Sequence, residues 1–315
     1  MKEQPPRSKS SKAFLCVPAL LLLCVLITCG PSERQPSAPS PASQEARPAR
    51  IVSLSPSVTE ILYGVGAWSQ VVAVSQYCSY PPDVANKPRV GGWADINLEQ
   101  ITTLKPDLII GVDAQEGIIG EKLNALGVRS LFVKSQSLAD VLDAIRAVGR
   151  AAGHVDEASE LAQRTEHEIE AVRSTLGNRG RPRVLCVVGH DPGTLRDIYT
   201  ATRGSFLDDL IGVAGGESAA PPAEQGYGKI TKEVVLTFNP EVVIDIIPAA
   251  EGGGDANPTA PWRELAEVRA VRDGRVYVLR EPLLTHPSQF VGYTARAFAH
   301  LIHPEAFPDE PGKPQ

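Results

Sequence analysis

Residues 92–110 read GWADINLEQITTLKPDLII, and residues 226–244 read GYGKITKEVVLTFNPEVVI. The two segments align without a gap at an offset of 134 residues. Gly92 matches Gly226, Ile96 Ile230, Glu99 Glu233, Thr103 Thr237, Pro106 Pro240 and Ile110 Ile244; Trp93 faces Tyr227 and Asp107 faces Glu241. Each copy follows one pattern: a loop, a helix N-cap (Asn97 or Thr231), a short helix, a turn at proline and an apolar strand. A unit that recurs at this distance predicts two lobes of like topology, each with its own sheet.

The flanking sequence fits that plan. Ile51-Val52-Ser53-Leu54, Val71–Val74, Leu108–Ile110 and Leu131–Val133 are short apolar runs separated by helical stretches, which implies parallel pairing. Ser57 and Glu60 have capping-box spacing at the start of a helix. From Leu138 to Leu176 apolar residues recur at helical spacing, with Gly153-His154 as the place for a kink. At 1.5 Å per residue such a helix would span roughly 50 Å. Val184–Val188 opens the second sheet, Val276–Leu279 is a late strand, and Gln289–Ile302 is a C-terminal helix. The expected fold is α/β: two lobes, each with a central, mostly parallel sheet flanked by helices, joined by one long backbone helix.

The chain has 315 residues, enough for two domains, with 43% apolar and 22% charged residues. This balance excludes a mainly disordered chain and a multi-pass membrane protein. A net charge of −6 argues against a nucleic-acid partner. Residues 1–12 carry Lys2, Arg7, Lys9 and Lys12 against Glu3. The apolar run from Ala13 to Thr28 that follows is interrupted by Pro18 and falls short of the ~20 residues a membrane helix needs. Leu26-Ile27-Thr28-Cys29-Gly30 resembles a lipobox, departing from it at Thr28, and makes Cys29 the candidate lipidation site. The expected plan is a lipoprotein signal peptide at 1–28, a Pro/Ser/Ala-rich tether at 29–49, a first lobe at 50–137, a connecting helix at 138–177 and a second lobe at 178–310. Cleavage before Cys29 would leave a net charge of −9. Cys16 and Cys24 would leave with the signal, so Cys78 and Cys186, one per lobe, are expected as unpaired, buried thiols.

RIVSLSPSVTEIL, the YCSYPP segment, NLEQITTLKPDLII with its copy ITKEVVLTFNPEVVI, TRGSFLDDLIGVAGGE and the late HPE together resemble the substrate-binding proteins of bacterial ATP-binding-cassette importers, in the class joined by one long helix. The resemblance covers roughly residues 50–305, and the cobalamin-binding members match best. It implies a lipid-anchored, extracytoplasmic, monomeric receptor that holds a corrinoid between its lobes and passes it to the importer's membrane subunits. By motif position the ligand contacts are Tyr77, Trp93, Tyr199 and Tyr227. Flat aromatic walls suit a broad, partly apolar disc, and tyrosine hydroxyls suit its amide rim. Trp68 and Trp262 read as structural. His286 lies in a loop that could border the cleft, where a neutral imidazole could ligate a bound metal; a hydrogen-bonded loop histidine is the plainer reading. A further aromatic of the cobalamin binders is replaced by Val112, and the late Pro-Gly-Pro-Arg run is missing, so a ferric-siderophore or haem receptor stands as the alternative.

The resemblance also assigns Glu99 and Glu233 to docking, one salt bridge per lobe with the membrane subunits. A glutamate near a helix start is favoured by the macrodipole in any case. No GxSxG, HExxH or phosphate-loop motif occurs in the sequence. The six histidines show no tight ligand spacing, so no metal centre and no cofactor are expected. A metal-ion receptor and a cell-surface enzyme remain as readings from other classes.

Overall fold

The computed structural model describes residues 47–220, 227–247 and 257–314. The first sheet contains β1 (Ile51–Ser53), β2 (Val71–Val74), β3 (Leu108–Val112) and β4 (Ser130–Val133), in the order β2-β1-β3-β4 and parallel throughout. Helices α1 (Pro56–Gly64), α2 (Leu98–Leu104) and α3 (Asp113–Ala125) connect these strands. Two helices follow, α4 (Leu138–Ala152) and α5 (Val155–Leu176). The second sheet contains β5 (Arg183–Gly189), β6 (Ile198–Ala201), β7 (Glu217–Ser218), β8 (Tyr227–Ile230), β9 (Val242–Ile246) and β10 (Val276–Leu279). Its main order is β10-β9-β5-β6-β8, with β7 paired to β5; β6 is antiparallel to both its neighbours. Its helices are α6 (Phe206–Val213), α7 (Lys232–Phe238), α8 (Arg269–Arg272) and α9 (Val291–Ile302).

The helix and the strand of the repeat are reproduced residue for residue, but the stretch before them is a loop at 93–96 and strand β8 at Tyr227–Ile230. Helix α2 maps onto α7 and β3 onto β9, both ends of each at the offset of 134. Each short helix ends in a left-handed residue, Lys105 (φ 46°) or Asn239 (φ 42°). The matched acids do the same work. Asp107 Oδ2 accepts the Ala49 and Arg50 amides at 2.8 Å, and Glu241 Oε2 accepts the Arg183 amide at 2.8 Å. Each carboxylate caps the entrance of the neighbouring parallel strand.

Two sequence expectations change. The stretch 138–177 is not one helix. Ser137 caps α4 with a capping box to Asp140, and Gly153 ends α4 at φ 81°. The backbone helix proper is α5, 22 residues long, or about 33 Å. The break is tight: a Cβ on Gly149 would lie 2.1 Å from the Ala158 Cβ, so glycine is what lets α4 and α5 close on each other. The Ser57–Glu60 capping box does not form either. Helix α1 starts at Pro56 with Ser55 at its N-cap, and Glu60 turns its carboxylate to another partner.

One continuous core runs through both lobes. It takes Ile51, Leu108 and Ile110 from the first sheet, Val141, Ile145 and Val148 from α4, Ile169 and Val172 from α5, Val184, Cys186 and Ile244 from the second sheet, and Phe298 from α9. The outer faces of the two sheets have separate cores, around Ile109 and Leu123 in one lobe and around Val243 and Trp262 in the other. The inner faces of both sheets are therefore packed onto shared helices, which resists wide hinge motion. Cys78 and Cys186 are buried free thiols, as the sequence indicates. Burial pushes the thiol pKa of both up. The signal segment, Cys29 and residues 29–46 of the tether lie outside the described residues.

Candidate functional site

In parallel α/β sheets, ligands sit at the carboxyl ends of the strands. The chain from β2 continues there into Ser75-Gln76-Tyr77-Cys78. The returning segment 89–92 lies alongside: Val74 bridges Arg89, the Val90 amide donates to Val74 O at 3.0 Å, and the Gln76 amide donates to Gly91 O at 2.8 Å. Arg89 Nη1 donates to Ser75 O and Cys78 O at 3.0 and 2.9 Å, which clamps the two turns together. Gly91 has φ 96°, and a Cβ there would lie 2.3 Å from Asp95 O; only glycine allows the turn that carries Trp93. Below Tyr77, the Cys78 thiol is fixed by the Thr59 and Ser75 hydroxyls at 3.1 and 3.3 Å. The result presents two large rings on adjoining turns, Tyr77 57% and Trp93 44% exposed.

In the second lobe the pair is built by the β6–β8 ladder. Tyr199 pairs with Lys229 and Ala201 with Tyr227, which makes the two tyrosines diagonal neighbours on one face of the sheet. Ile198 and Ile230 point to the opposite face, into the outer core. The tyrosine face is therefore the inner one, continuous with Cys186, Ala201 and Ile244. Tyr199 is 45% and Tyr227 46% exposed. The Tyr227 hydroxyl pKa is pushed up by burial, with the Cys186 thiol beside it a second cause; its polar tip is surrounded by protein while the residue as a whole stays half open.

His286 reaches across to the first lobe. Its Nδ1 lies 2.6 Å from Oε1 of Glu60, the buried carboxylate of α1. Nothing local in the sequence signals a partner 226 residues away. Thus Tyr77 and Trp93 sit on adjoining turns of one lobe, Tyr199 and Tyr227 on one face of the other, and His286 ties the second lobe to the first. Trp262 is structural as expected, fully buried with Nε1 donating to Asp245 Oδ2 at 2.8 Å.

Charges of both signs lie near the first pair, and Arg89 holds the turn of Tyr77. Asp95 holds the Gly92 amide at 3.1 Å, and Asp113 and Glu116 occupy the first turn of α3. Beside Tyr199, Lys229 is paired with Asp197 at 2.7 Å, and this bond raises the lysine pKa. Glu99 and Glu233 are both exposed in the first turns of α2 and α7. The Thr231 hydroxyl, the largest cause, holds Glu233 below the usual carboxylate range and so keeps it charged. Among the described residues no three His, Cys, Asp or Glu side chains gather as a metal site, and no helix is long and apolar enough to cross a membrane.

A family profile described as periplasmic binding protein matches residues 51–283. YvrC of Bacillus subtilis (strain 168), described as an uncharacterized ABC transporter substrate-binding lipoprotein, is 27% identical over 267 residues, 82% of each chain. The periplasmic vitamin B12-binding protein BtuF of Vibrio cholerae superposes with a TM-score of 0.70 at 26% identity, over 81% of this chain and 97% of that one. The periplasmic heme-binding protein RhuT from Roseiflexus sp. RS-1 superposes at 0.69 with 27% identity, over 82% and 98%. The duplicated unit, the helix-joined lobes and a profile that spans both sheets agree: the chain belongs to the periplasmic binding protein family, the non-enzymatic substrate-binding components of ATP-binding-cassette importers.

Proposed function

We propose that this protein is a lipid-anchored receptor that captures a corrinoid, cobalamin, between its lobes and delivers it to an importer. Tyr77 and Trp93 on one rim, with Tyr199 and Tyr227 on the other, are the proposed walls. Cys29 is the proposed anchor, and Glu99 and Glu233 are the proposed contacts to the two membrane subunits. The observation that carries the reading is the set of four half-exposed rings, paired within each lobe on turns or strands that would otherwise bury them. A broad disc with an amide rim suits such walls, its apolar faces against the rings and its amides against hydroxyls and carboxylates.

The solved relatives include both a vitamin B12 binder and a heme binder; the charge of the ligand is what supports the first. Haem propionates and most ferric siderophores are anionic. Beside Trp93 they would meet Asp95, and beside Tyr199 a lysine already paired with Asp197, while the Arg89 guanidinium is engaged by backbone carbonyls. A corrin rimmed by neutral amides meets no such repulsion. That favours the corrinoid over the siderophore or haem reading, and the same walls offer nothing for a bare metal ion.

The test uses residues 46–315, which form one compact unit. The purified chain is mixed in turn with cobalamin, haem and a ferric siderophore and passed over a sizing column. Visible colour is expected to co-elute with cobalamin alone. The pair Trp93→Ala with Tyr227→Ala should weaken this roughly 100-fold or more, since each buried ring contributes about 1.5–3 kcal/mol. Haem or siderophore co-elution without cobalamin would replace the corrinoid reading.

A further inference from the structure

The polar contact between the lobes has a composition that packing alone does not require. Glu60 sits in the middle of α1, which leaves the carboxyl end of β1, and is 1% exposed. His286 and Gln289 lie in the segment that leaves the carboxyl end of β10 and leads into α9. His286 Nδ1 reaches Glu60 Oε1 at 2.6 Å, and Gln289 Nε2 donates to the Glu60 backbone carbonyl at 2.8 Å. Next to them Tyr80 and Phe290 stack edge to face at 5.0 Å, a second tie between the lobes. Tyr80 in turn packs edge to face on Tyr63 of α1 at 5.4 Å. Gln289 also fills the space over Gly64, against Leu161 of α5. The joint therefore lies at the base of the opening, where α1, the backbone helix and the start of α9 converge.

Glu60 is a first-lobe carboxylate whose side-chain partner comes from the second lobe. Its other oxygen, Oε2, is buried without a hydrogen-bond partner among the described residues, as is Gln289 Oε1. A buried carboxylate is expensive unless paired. Here the pairing exists only while the lobes keep this angle. Moving them apart strands the charge until water reaches it, and moving them back restores the bond. Purely apolar contacts at the same place would resist opening gradually; a single short bond to a buried charge makes the closed angle a distinct state.

We propose that Glu60 and His286 form an inter-lobe latch that sets the opening of the cleft. The latch predicts that loss of the histidine alone does more than loss of both groups. Spin labels placed at Glu121→Cys on α3 and Glu267→Cys in the second lobe, both exposed, report the lobe separation by double electron–electron resonance in the ligand-free chain. The unmodified latch should give one narrow distance distribution. His286→Ala should broaden it toward longer distances, and amides of α1 should exchange about tenfold faster or more. Adding Glu60→Gln to His286→Ala removes the stranded charge and should narrow the distribution again. If His286→Ala does not fold, His286→Asn carries the same comparison. An unchanged distribution in the single variant overturns the proposal. So does a double variant as broad as the single one, because the buried charge would then not be the cause. No ligand enters this measurement, so its outcome is independent of the corrinoid assignment.

Discussion

His286 and His190 show how one residue type in two settings does different work. Both belong to buried carboxylate–histidine pairs, but the first joins two lobes and the second lies within one. His190 follows β5, and its Nε2 lies 3.1 Å from Asp245 Oδ2, with 3% and 0% of the two side chains exposed. The hydrogen bond to Asp245 is the main cause that raises the His190 pKa from 6.5 to about 9. A histidine raised on folding stabilises the folded state fully below its unfolded value, and that contribution disappears as pH rises through the folded value. Unfolding free energy should therefore fall between about pH 6.5 and 9.5, by at most about 3 kcal/mol. In Asp245→Asn that slope should flatten. Urea unfolding across the range measures it, and an equal slope in both proteins would refute the assignment. Neither pair was legible in the sequence, because each partner is distant along the chain and the spacing of Ser57 and Glu60 suggested a local cap instead. The open loop at Trp93 was legible because its neighbours carry the repeat, down to the paired glycines that turn the chain there.

At the scale of elements, the gapless repeat was the most readable feature, and its physical content is backbone conformation as well as polarity pattern. Lys105 and Asn239 occupy equivalent left-handed positions, but only asparagine tolerates that region well. Lys105→Gly should therefore stabilise the chain by roughly 0.5–1 kcal/mol, and Asn239→Gly by clearly less. Denaturation midpoints of the two variants decide this; a larger gain at Asn239 would show that the two turns are not equivalent in energy. The broken connecting helix was only half readable. Gly153-His154 marked the place, but apolar periodicity runs on through the break because α4 and α5 bury their stripes in the same core. A pattern of burial cannot distinguish one helix from two that share a core; the left-handed Gly153 and the close approach at Gly149 can.

The whole molecule is two sheets whose inner faces share a core across α4, α5 and α9. Such a body is suited to small changes of lobe angle around a fixed backbone helix, with the Glu60–His286 joint formed by segments that leave the carboxyl ends of β1 and β10. The exposed acids Glu99 and Glu233 head equivalent helices, one in each lobe. Two separated charge contacts orient a docked partner more than they add affinity, so cargo binding and delivery should be separable. The most direct test measures cobalamin uptake by cells whose receptor carries Glu99→Lys and Glu233→Lys, alongside cobalamin binding by the same purified variant. The account predicts binding indistinguishable from the unaltered protein and uptake reduced to the level of cells without the receptor. Uptake retained by this variant would contradict it.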